Sequence, residues 1–381
     1  MYGVFNEGRL RNNFTGTLYA PAGDGLEQLQ RSGTFGGRAL HQRHLHLFGQ
    51  TFSLEAGLSG RGDLLHQTQR PYAEADGRLL ALEVDAQVRQ VLGSGWLELA
   101  WAPGDWRFML GGRVDVLHVE AFDALAFGGR GGTRRATGPH LELKAGLERQ
   151  LGPLLRAFAS YGDGFRTPQA RQLSQGETAP FVNVHGGELG LRLTSRFLEA
   201  SAAGFLSGVA NDFFFDHTAG TTRFIGPTLR GGGQLQLTSR PVTGFVIAGN
   251  LTLATAQLTE RAALLPYFAP VVGRLDAGWT RTWALPRFPV TPRLGLGATV
   301  IGPRPLPYDE WSESWVVVDA RAGLRVGPLE ATFDVQNLLD VRWRDGEYVF
   351  ASDWGTRRQL PSRHFTAGAP RTFFFNLELH L

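Results

Sequence analysis

Regular alternation of apolar and polar residues is the feature that most constrains this 381-residue chain. In residues 329–336, Leu, Ala, Phe and Val alternate with Glu, Thr, Asp and Gln, and residues 372–380 repeat most of that pattern. Residues 79–92 and 138–148 alternate in the same way. Successive side chains of a β-strand point to opposite faces, so a period of two predicts strands with one apolar and one polar face. The sequence therefore predicts an all-β fold.

The length of these segments favours a membrane barrel over a soluble sheet. We count roughly 16 to 18 segments of about 9 to 15 residues, whereas a strand of a soluble sheet commonly has about 5 to 6. A tilted strand needs about 9–11 residues to cross a bilayer. The polar faces also carry charges, such as Arg113 with Asp115, that a wet barrel lumen tolerates and a dry core does not. We predict a transmembrane antiparallel β-barrel that forms one domain over residues 1–381.

The predicted connections alternate between long and short. Long loops are predicted at 20–41, 63–78, 121–138, 164–186, 213–222, 259–271, 302–314 and 340–370. Tight turns are predicted near 49–50, 151–153, 195–197, 240–243, 285–289 and 326–328. Such alternation is typical of outer-membrane barrels, which have short periplasmic turns and long extracellular loops. It fails once, because residues 79–121 read as three strands between two long loops.

Composition excludes several kinds of function. The chain has no cysteine, which removes disulfides, thiolate catalysis and cysteine-ligated metals. The net charge is only +3 and is spread along the chain, which argues against nucleic-acid binding. Two of the imidazoles of His41, His44 and His46 fall on one strand face, and no carboxylate or third ligand follows at a metal-site spacing. With no serine–histidine–acid or paired-carboxylate arrangement either, we predict no enzyme activity, no catalytic residue, no metal site and no cofactor.

Several segments in the second half of the chain stand in a characteristic order. They include the sequences SYGDGFRTP at 160–168, VQNLLD at 335–340 and GAPR at 368–371. Their order and spacing resemble those of TonB-dependent outer-membrane receptors, the plugged barrels that import siderophores, cobalamin and similar scarce nutrients. We interpret the matching residues as scaffold signatures rather than ligand contacts. They are Gly164, Phe165, Arg166, Pro168, Glu188, Arg230, Gly231, Asn337, Leu338, Asp340, Pro370 and Arg371.

The beginning of the chain departs from this resemblance. Nothing near Met1 resembles the signal peptide, the energy-coupling segment or the plug that precede the family's barrel. We therefore expect an N-terminally truncated barrel in the bacterial outer membrane. The resemblance implies outer-membrane lipid as one partner and the TonB coupling protein as another, the latter only through the missing N-terminal part.

The resemblance also implies a small-molecule cargo, a metal chelate or a corrinoid, for which we expect a ferric siderophore, haem or cobalamin. Aromatic and arginine side chains in the predicted outer loops could hold it. The candidate ligand-binding residues are Tyr267, Trp311, Trp343, Tyr348, Trp354 and Arg357. Two alternatives stay open: a passive porin-like channel if the chain is complete, and a soluble β-rich carbohydrate-binding protein.

Overall fold

The computed structural model describes residues 1–13, 16, 24–167, 181–216, 221–353 and 358–380. A helical turn, α1 (Ala126–Gly129), interrupts a series of strands. Within these residues, no helix has both the length and the apolar character needed to cross a membrane. The strands are β1 (Tyr2–Asn12), β2 (Gly25–Leu47), β3 (Gln50–Tyr72), β4 (Val84–Trp101), β5 (Trp106–Asp123), β6 (Gly132–Gln150), β7 (Leu155–Arg166), β8 (Val182–Thr194), β9 (Leu198–Asp216), β10 (Thr221–Ser239), β11 (Phe245–Leu258), β12 (Ala263–Leu264), β13 (Val271–Thr280), β14 (Val290–Ile301), β15 (Trp315–Val326), β16 (Leu329–Gln336), β17 (Arg344–Ser352), β18 (Leu360–Ala367) and β19 (Thr372–Leu379).

The strands form one antiparallel meander. Each strand from β1 to β11 pairs with the next in sequence, β11 pairs with β13, and the ladder continues through β16 to β19. Among the described residues, the hairpin β17–β18 pairs only with itself, and it lies in the connection between β16 and β19. The predicted all-β antiparallel architecture is confirmed.

The connections correct the predicted loops. A short turn at 102–105 joins β4 to β5, so residues 79–121 hold two strands rather than three and the parity problem disappears. The predicted loops 20–41 and 63–78 are wrong for most of their length, because β2 and β3 each extend over 23 residues. Polar residues there belong to strands that continue beyond the apolar region. Short turns therefore gather at one end of the sheet and long loops at the other.

Strand β4 shows how the two faces differ. Val91, Leu97 and Leu99 are exposed on one face, here called the outer face. Ser94 and Glu98 point to the opposite, inner face, where Glu98 pairs with Lys144. The segment from Val91 to Trp101 spans 11 residues, and its outer face carries only glycine and apolar side chains, as lipid requires of a tilted strand.

Aromatic rings border the apolar band at the short-turn end. Trp101 stacks on Phe52 with ring centroids 5.7 Å apart and on Phe108 at 5.4 Å, and Trp106 continues the row. Such girdles are typical of membrane interfaces. Trp96 has a different position: it lies on the inner face and donates a hydrogen bond to Glu55 at 3.1 Å.

The inner face carries both buried charge and a small apolar core. Asp115 is fully buried and accepts hydrogen bonds from Arg113 Nε at 2.8 Å and Ser94 Oγ at 2.5 Å. Toward the long-loop end of the same strand, Leu117 and Val119 are also buried. The inner face therefore changes from polar to apolar near the long loops, and the apolar alternation in residues 84–88 belongs to this inner core.

Candidate functional site

A buried carboxylate joins two long loops at the hairpin β17–β18. Glu347 is 1% exposed and accepts hydrogen bonds from Arg344 Nη1 at 2.5 Å and Arg363 Nη1 at 3.3 Å. The backbone N–H of Glu313 donates to the other oxygen of Glu347 at 2.6 Å. Arg363 also pairs with Glu310 at 2.5 Å. The hairpin is thereby fastened to the β14–β15 loop, and we call this group of residues the loop node.

The charge state of the hairpin follows from these contacts. Burial raises the pKa of the Glu347 carboxyl, but the N–H of Glu313 and the guanidinium groups of Arg344 and Arg363 outweigh it, so its pKa lies below the ordinary value. Burial lowers the pKa of His364, which stacks on Phe350 with ring centroids 3.8 Å apart. Near neutral pH the node thus holds an ionised glutamate, while the hairpin holds a neutral histidine.

Two of the predicted ligand-binding residues lie side by side next to the loop node. The rings of Tyr267 and Tyr348 are 5.6 Å apart. The Tyr267 hydroxyl donates to the carbonyl of Val349 at 3.4 Å, and its backbone N–H donates to Pro305 at 2.7 Å. Tyr267 therefore joins the β11–β13 loop to the same group of loops. Both rings remain partly exposed.

The predicted tryptophans have different surroundings. Trp343 packs on Trp315 with ring centroids 4.4 Å apart, and its Nε1 donates to Ala369 at 3.1 Å. Trp311 is 47% exposed in the β14–β15 loop, where it forms an isolated bridge with Pro305. Trp343 thus supports the base of the hairpin, whereas Trp311 presents a free aromatic face. The other two candidates, Trp354 and Arg357, lie outside the described residues.

The signature residues at either end of the β16–β19 connection meet in space. Asn337 adopts φ +52°, a left-handed conformation that Asn tolerates better than most residues. Its Nδ2 donates to Val341 at 2.9 Å and to Ala369 at 3.1 Å. Asp340 accepts from the backbone N–H of Arg371 at 3.2 Å, and the Arg371 side chain reaches the carbonyl of Leu338. Pro370 immediately precedes this contact, so these signatures close the base of the loop.

A second buried carboxylate joins two signature residues from different strands. Asp212 is 1% exposed and accepts hydrogen bonds from Arg166 Nη1 at 3.0 Å, from Thr228 at 2.8 Å and from Arg230. Its other partner is the backbone N–H of Phe213 at 2.9 Å. Arg166 and Arg230, which are far apart in sequence, therefore share one anion near the long-loop ends of β7 and β10.

The remaining signature residues have plainer positions. Gly164 and Phe165 pair with β8 near the end of β7, and the rings of Phe165 and Phe181 have centroids 4.6 Å apart. Glu188 accepts a weak hydrogen bond from Ser160 at 3.3 Å. Gly231 pairs with Leu206 in the β9–β10 ladder. Pro168 lies outside the described residues. These positions fit the interpretation that the signatures support the scaffold.

Sequence reasoning missed the two carboxylates that organise the site. Asp212 lies 46 residues from Arg166 and Glu347 lies 34 residues from Glu313, so neither pairing leaves a local pattern. In the part of the chain that the structure describes, no group of three or more His, Cys, Asp or Glu side chains could hold a metal ion. What the site offers instead is aromatic surface, guanidinium groups and tightly fastened loops.

Comparison with known proteins gives the family. The family model described as "TonB dependent receptor-like, beta-barrel" matches residues 1–338. No curated protein sequence matches the chain. Solved structures match with TM-scores of 0.74 for the ferric citrate transporter FecA and 0.71 for the ferric yersiniabactin receptor FyuA from Yersinia pestis, at 16% and 14% identity. The copper transporter OprC matches with 0.72 at 16% identity.

The matches cover a larger share of this chain than of the solved structures. The matches cover 93% of this chain for FecA and FyuA and 98% for OprC, but only 55%, 55% and 61% of those chains. The chain thus spans little more than half the length of the solved structures that it matches. Because the family model covers most of the sequence, the chain belongs to the TonB-dependent receptor β-barrels, a family of bacterial outer-membrane receptors and not of enzymes.

Proposed function

We propose that the intact receptor binds an iron chelate of the siderophore class at its outer loops and imports it with energy relayed by TonB. Membership in the barrel family supports the receptor role and excludes the soluble carbohydrate-binding alternative. The names of FecA and FyuA, which concern ferric citrate and ferric yersiniabactin, support an iron chelate as cargo. Haem and cobalamin are the competing cargoes, and TonB would act through a part of the receptor outside this chain.

The observation that carries the proposal is the aromatic surface beside the loop node. Tyr267 and Tyr348 present adjacent rings, and Trp311 adds an exposed indole on the neighbouring loop. Ligand sites in proteins combine such apolar and aromatic surface with a few fixed polar groups. The ion pairs of Glu347 hold these loops in place before any ligand arrives, which reduces the entropy that binding must overcome.

Binding to a panel of cargoes tests the proposal. The full-length receptor is titrated with ferric siderophores of several chemical types, haem and cobalamin, with tryptophan fluorescence as the readout. We expect one ferric siderophore to bind best, and Trp311→Ala to weaken it about tenfold, because an exposed aromatic contact contributes about 1–2 kcal/mol to binding. Tyr267→Phe keeps the aromatic ring and removes the hydroxyl that donates to Val349, so it separates the contribution of the ring from that of the hydrogen bond.

Phe197→Ala is the matched control, since Phe197 is similarly exposed but lies in a short turn at the opposite end of the barrel. Its affinity should equal that of the wild type. If haem or cobalamin binds and no ferric chelate does, the proposed cargo is wrong. A large, steady current through the full-length protein in a planar bilayer, with no chelate binding, would favour the passive-channel alternative instead.

A further inference from the structure

The two arginines of the loop node each divide their guanidinium group between two carboxylates. Arg344 Nη1 and Arg363 Nη1 both bind the same oxygen of Glu347, at 2.5 and 3.3 Å. On its other side, Arg344 Nη2 lies 3.2 Å from Glu313 Oε1. Arg363 Nη2 lies 2.5 Å from Glu310 Oε2. The two guanidinium groups are therefore neighbours that share one inner carboxylate and have one outer carboxylate each.

The inner and outer carboxylates differ in burial. The Glu347 side chain is 1% exposed, whereas the side chains of Glu310 and Glu313 are 51% and 59% exposed. Removing one partner of a buried ion pair is strongly destabilising, whereas an exposed ion pair contributes little. Glu347 therefore fixes the two arginines, and the outer glutamates can leave them at small cost.

Both outer carboxylates belong to one short stretch of the β14–β15 loop. Glu310 and Glu313 are three residues apart, and Trp311 directly follows Glu310 with its indole exposed. The main chain of the stretch is held at both glutamates: the carbonyl of Glu310 accepts from Leu306 at 2.8 Å, and the N–H of Glu313 donates to Glu347 at 2.6 Å. The side chains can thus turn away without the loop, and a group that replaces them lies beside the indole.

The charges of the node decide what can replace these side chains. Three carboxylates face the two guanidinium groups while both outer glutamates are in place. When Glu310 and Glu313 turn into solvent, the arginines keep one carboxylate between them and regain an excess of positive charge. Guanidinium groups bind carboxylates through charge-assisted hydrogen bonds of defined direction. Two adjacent arginines therefore favour a ligand that carries at least two carboxylates.

We propose that Glu310 and Glu313 are internal counter-ions that the cargo displaces, and that the cargo is a ferric chelate with at least two carboxylates that do not coordinate the iron. These carboxylates take the outer nitrogens of Arg344 and Arg363, while Glu347 holds both arginines in place. The inference rests on the proposed function and narrows its cargo to polycarboxylate chelates. The outer glutamates oppose binding, whereas Glu347 prepares the site for it.

The sign of a change in affinity distinguishes a counter-ion from a structural contact. The full-length receptor is titrated with ferric citrate, with iron-free citrate and with a neutral ferric trihydroxamate, and tryptophan fluorescence is the readout. We expect the wild type to prefer ferric citrate. We expect Glu310→Gln/Glu313→Gln to bind it about fivefold more tightly, because the chelate no longer breaks two exposed ion pairs that each contribute a factor of about two.

Glu7→Gln/Glu199→Gln is the matched control. It removes the same charge from two glutamates in β1 and β9 that also pair with arginines and whose side chains are 54% and 58% exposed. It should bind ferric citrate as the wild type does. Arg363→Gln should weaken ferric citrate about tenfold and spare the trihydroxamate, because Arg344 still pairs with Glu347.

Unchanged or weaker binding of ferric citrate in Glu310→Gln/Glu313→Gln overturns the proposal, because the glutamates would then be structural contacts. An equal gain in the control overturns it too, since net charge alone would explain the effect. Iron-free citrate that binds as tightly as ferric citrate, or a preference for the trihydroxamate, overturns this inference. The trihydroxamate result leaves the proposed function standing, whereas binding of haem or cobalamin in place of every ferric chelate overturns both. If Arg363→Gln fails to fold, the double glutamine variant decides alone, since it removes no buried group.

Discussion

Two sides of this barrel reach above the membrane by different means. Strands β2–β6, here called the wall, have 18 to 23 residues each and extend past the apolar band as a continuous ladder. Strands β13–β16 and β19 have only 8 to 12 residues. On that side, the part above the membrane is formed by the folded loops and the hairpin β17–β18, which are together called the cap. The wall is therefore built by backbone hydrogen bonds, whereas the cap is built by side chains.

This difference predicts where single substitutions most destabilise the outer part of the molecule. A ladder distributes its stability over many backbone hydrogen bonds, each worth about 0.5–1.5 kcal/mol, so no single side chain is essential. The cap concentrates its contacts on Glu347, Tyr267 and Trp343. Substitutions in the cap should therefore have larger local effects than equivalent substitutions in the wall.

Replacing Glu347 with alanine should have the largest effect. It leaves Arg344 and Arg363 without their shared anion, at a cost of about 2–3 kcal/mol, below the range for fully buried pairs because both arginines are partly exposed. Hydrogen exchange measured by mass spectrometry should speed up about a hundredfold in residues 344–367 and remain unchanged in β3. Glu199→Ala, which removes an exposed partner of Arg240, should change nothing. Unchanged exchange in the hairpin would refute the role of the node.

Replacing Asp212 with alanine should have a smaller effect, although Asp212 is equally buried. The ladder between β9 and β10 continues on both sides of it and holds the backbone without the carboxylate. We expect a loss of about 1–2 kcal/mol, measured as a lower thermal midpoint, with exchange increased only near Arg166 and Arg230. Opening of β9 along its whole length would contradict the view that the ladder is self-supporting.

A matched pair of glycines compares the two sides directly. An added Cβ would lie 2.1 Å from the Trp343 ring at Gly368 in the cap, and 2.0 Å from the Trp96 ring at Gly57 in the wall. Overpacking costs about 1–3 kcal/mol. Gly368→Ala should shift tryptophan fluorescence and loosen the hairpin, whereas Gly57→Ala should only displace Trp96. Gly60→Ala, where the Cβ meets open space, is the control. Equal loosening in both variants would erase the distinction.

Acid should weaken the cap gradually. The pKa of His364 is lowered by burial, so its contribution to stability is present above its ordinary value of 6.5 and declines as the pH falls below it. The pKa of Glu347 is also lowered, so its contribution is present above 4.5 and is lost at still lower pH. Exchange corrected for its intrinsic pH dependence should rise in the hairpin as the pH falls below 6.5, and rise again as it falls below 4.5. His364→Phe should remove the first step and keep the second.

Alternation in the sequence predicted the strands that face lipid, and the turns at 151–153, 195–197, 240–243 and 326–328 agree with the structure. The upper parts of β2 and β3 were misread because polar residues such as Arg31 and His66 occupy their outer faces, and a polar segment in a sequence resembles a loop. Only pairing with neighbouring strands shows that the ladder continues through them.

The site was less predictable than the fold for a related reason. Arg166 and Arg230 are recognisable in sequence, but the anion they share is set by the register between β7, β8, β9 and β10. Tyr267 and Tyr348 are 81 positions apart and meet only because the hairpin folds back over the β11–β13 loop. Contacts created by register and loop packing have no local sequence pattern to reveal them.

The central claim is that a lipid-facing band lies below a charged wall. The most direct test measures, along β4, the depth of each position in the bilayer and the face to which its side chain points. The chain has no cysteine, so single cysteines can carry a spin label at 89, 91, 97 and 99 on the outer face and at 90, 94 and 98 on the inner face. In lipid bilayers, labels at 91, 97 and 99 should collide preferentially with oxygen, and those at 89, 90, 94 and 98 with a water-soluble nickel chelate. Equal accessibility at 97, 98 and 99, or oxygen preference at 94 and 98, would contradict the account.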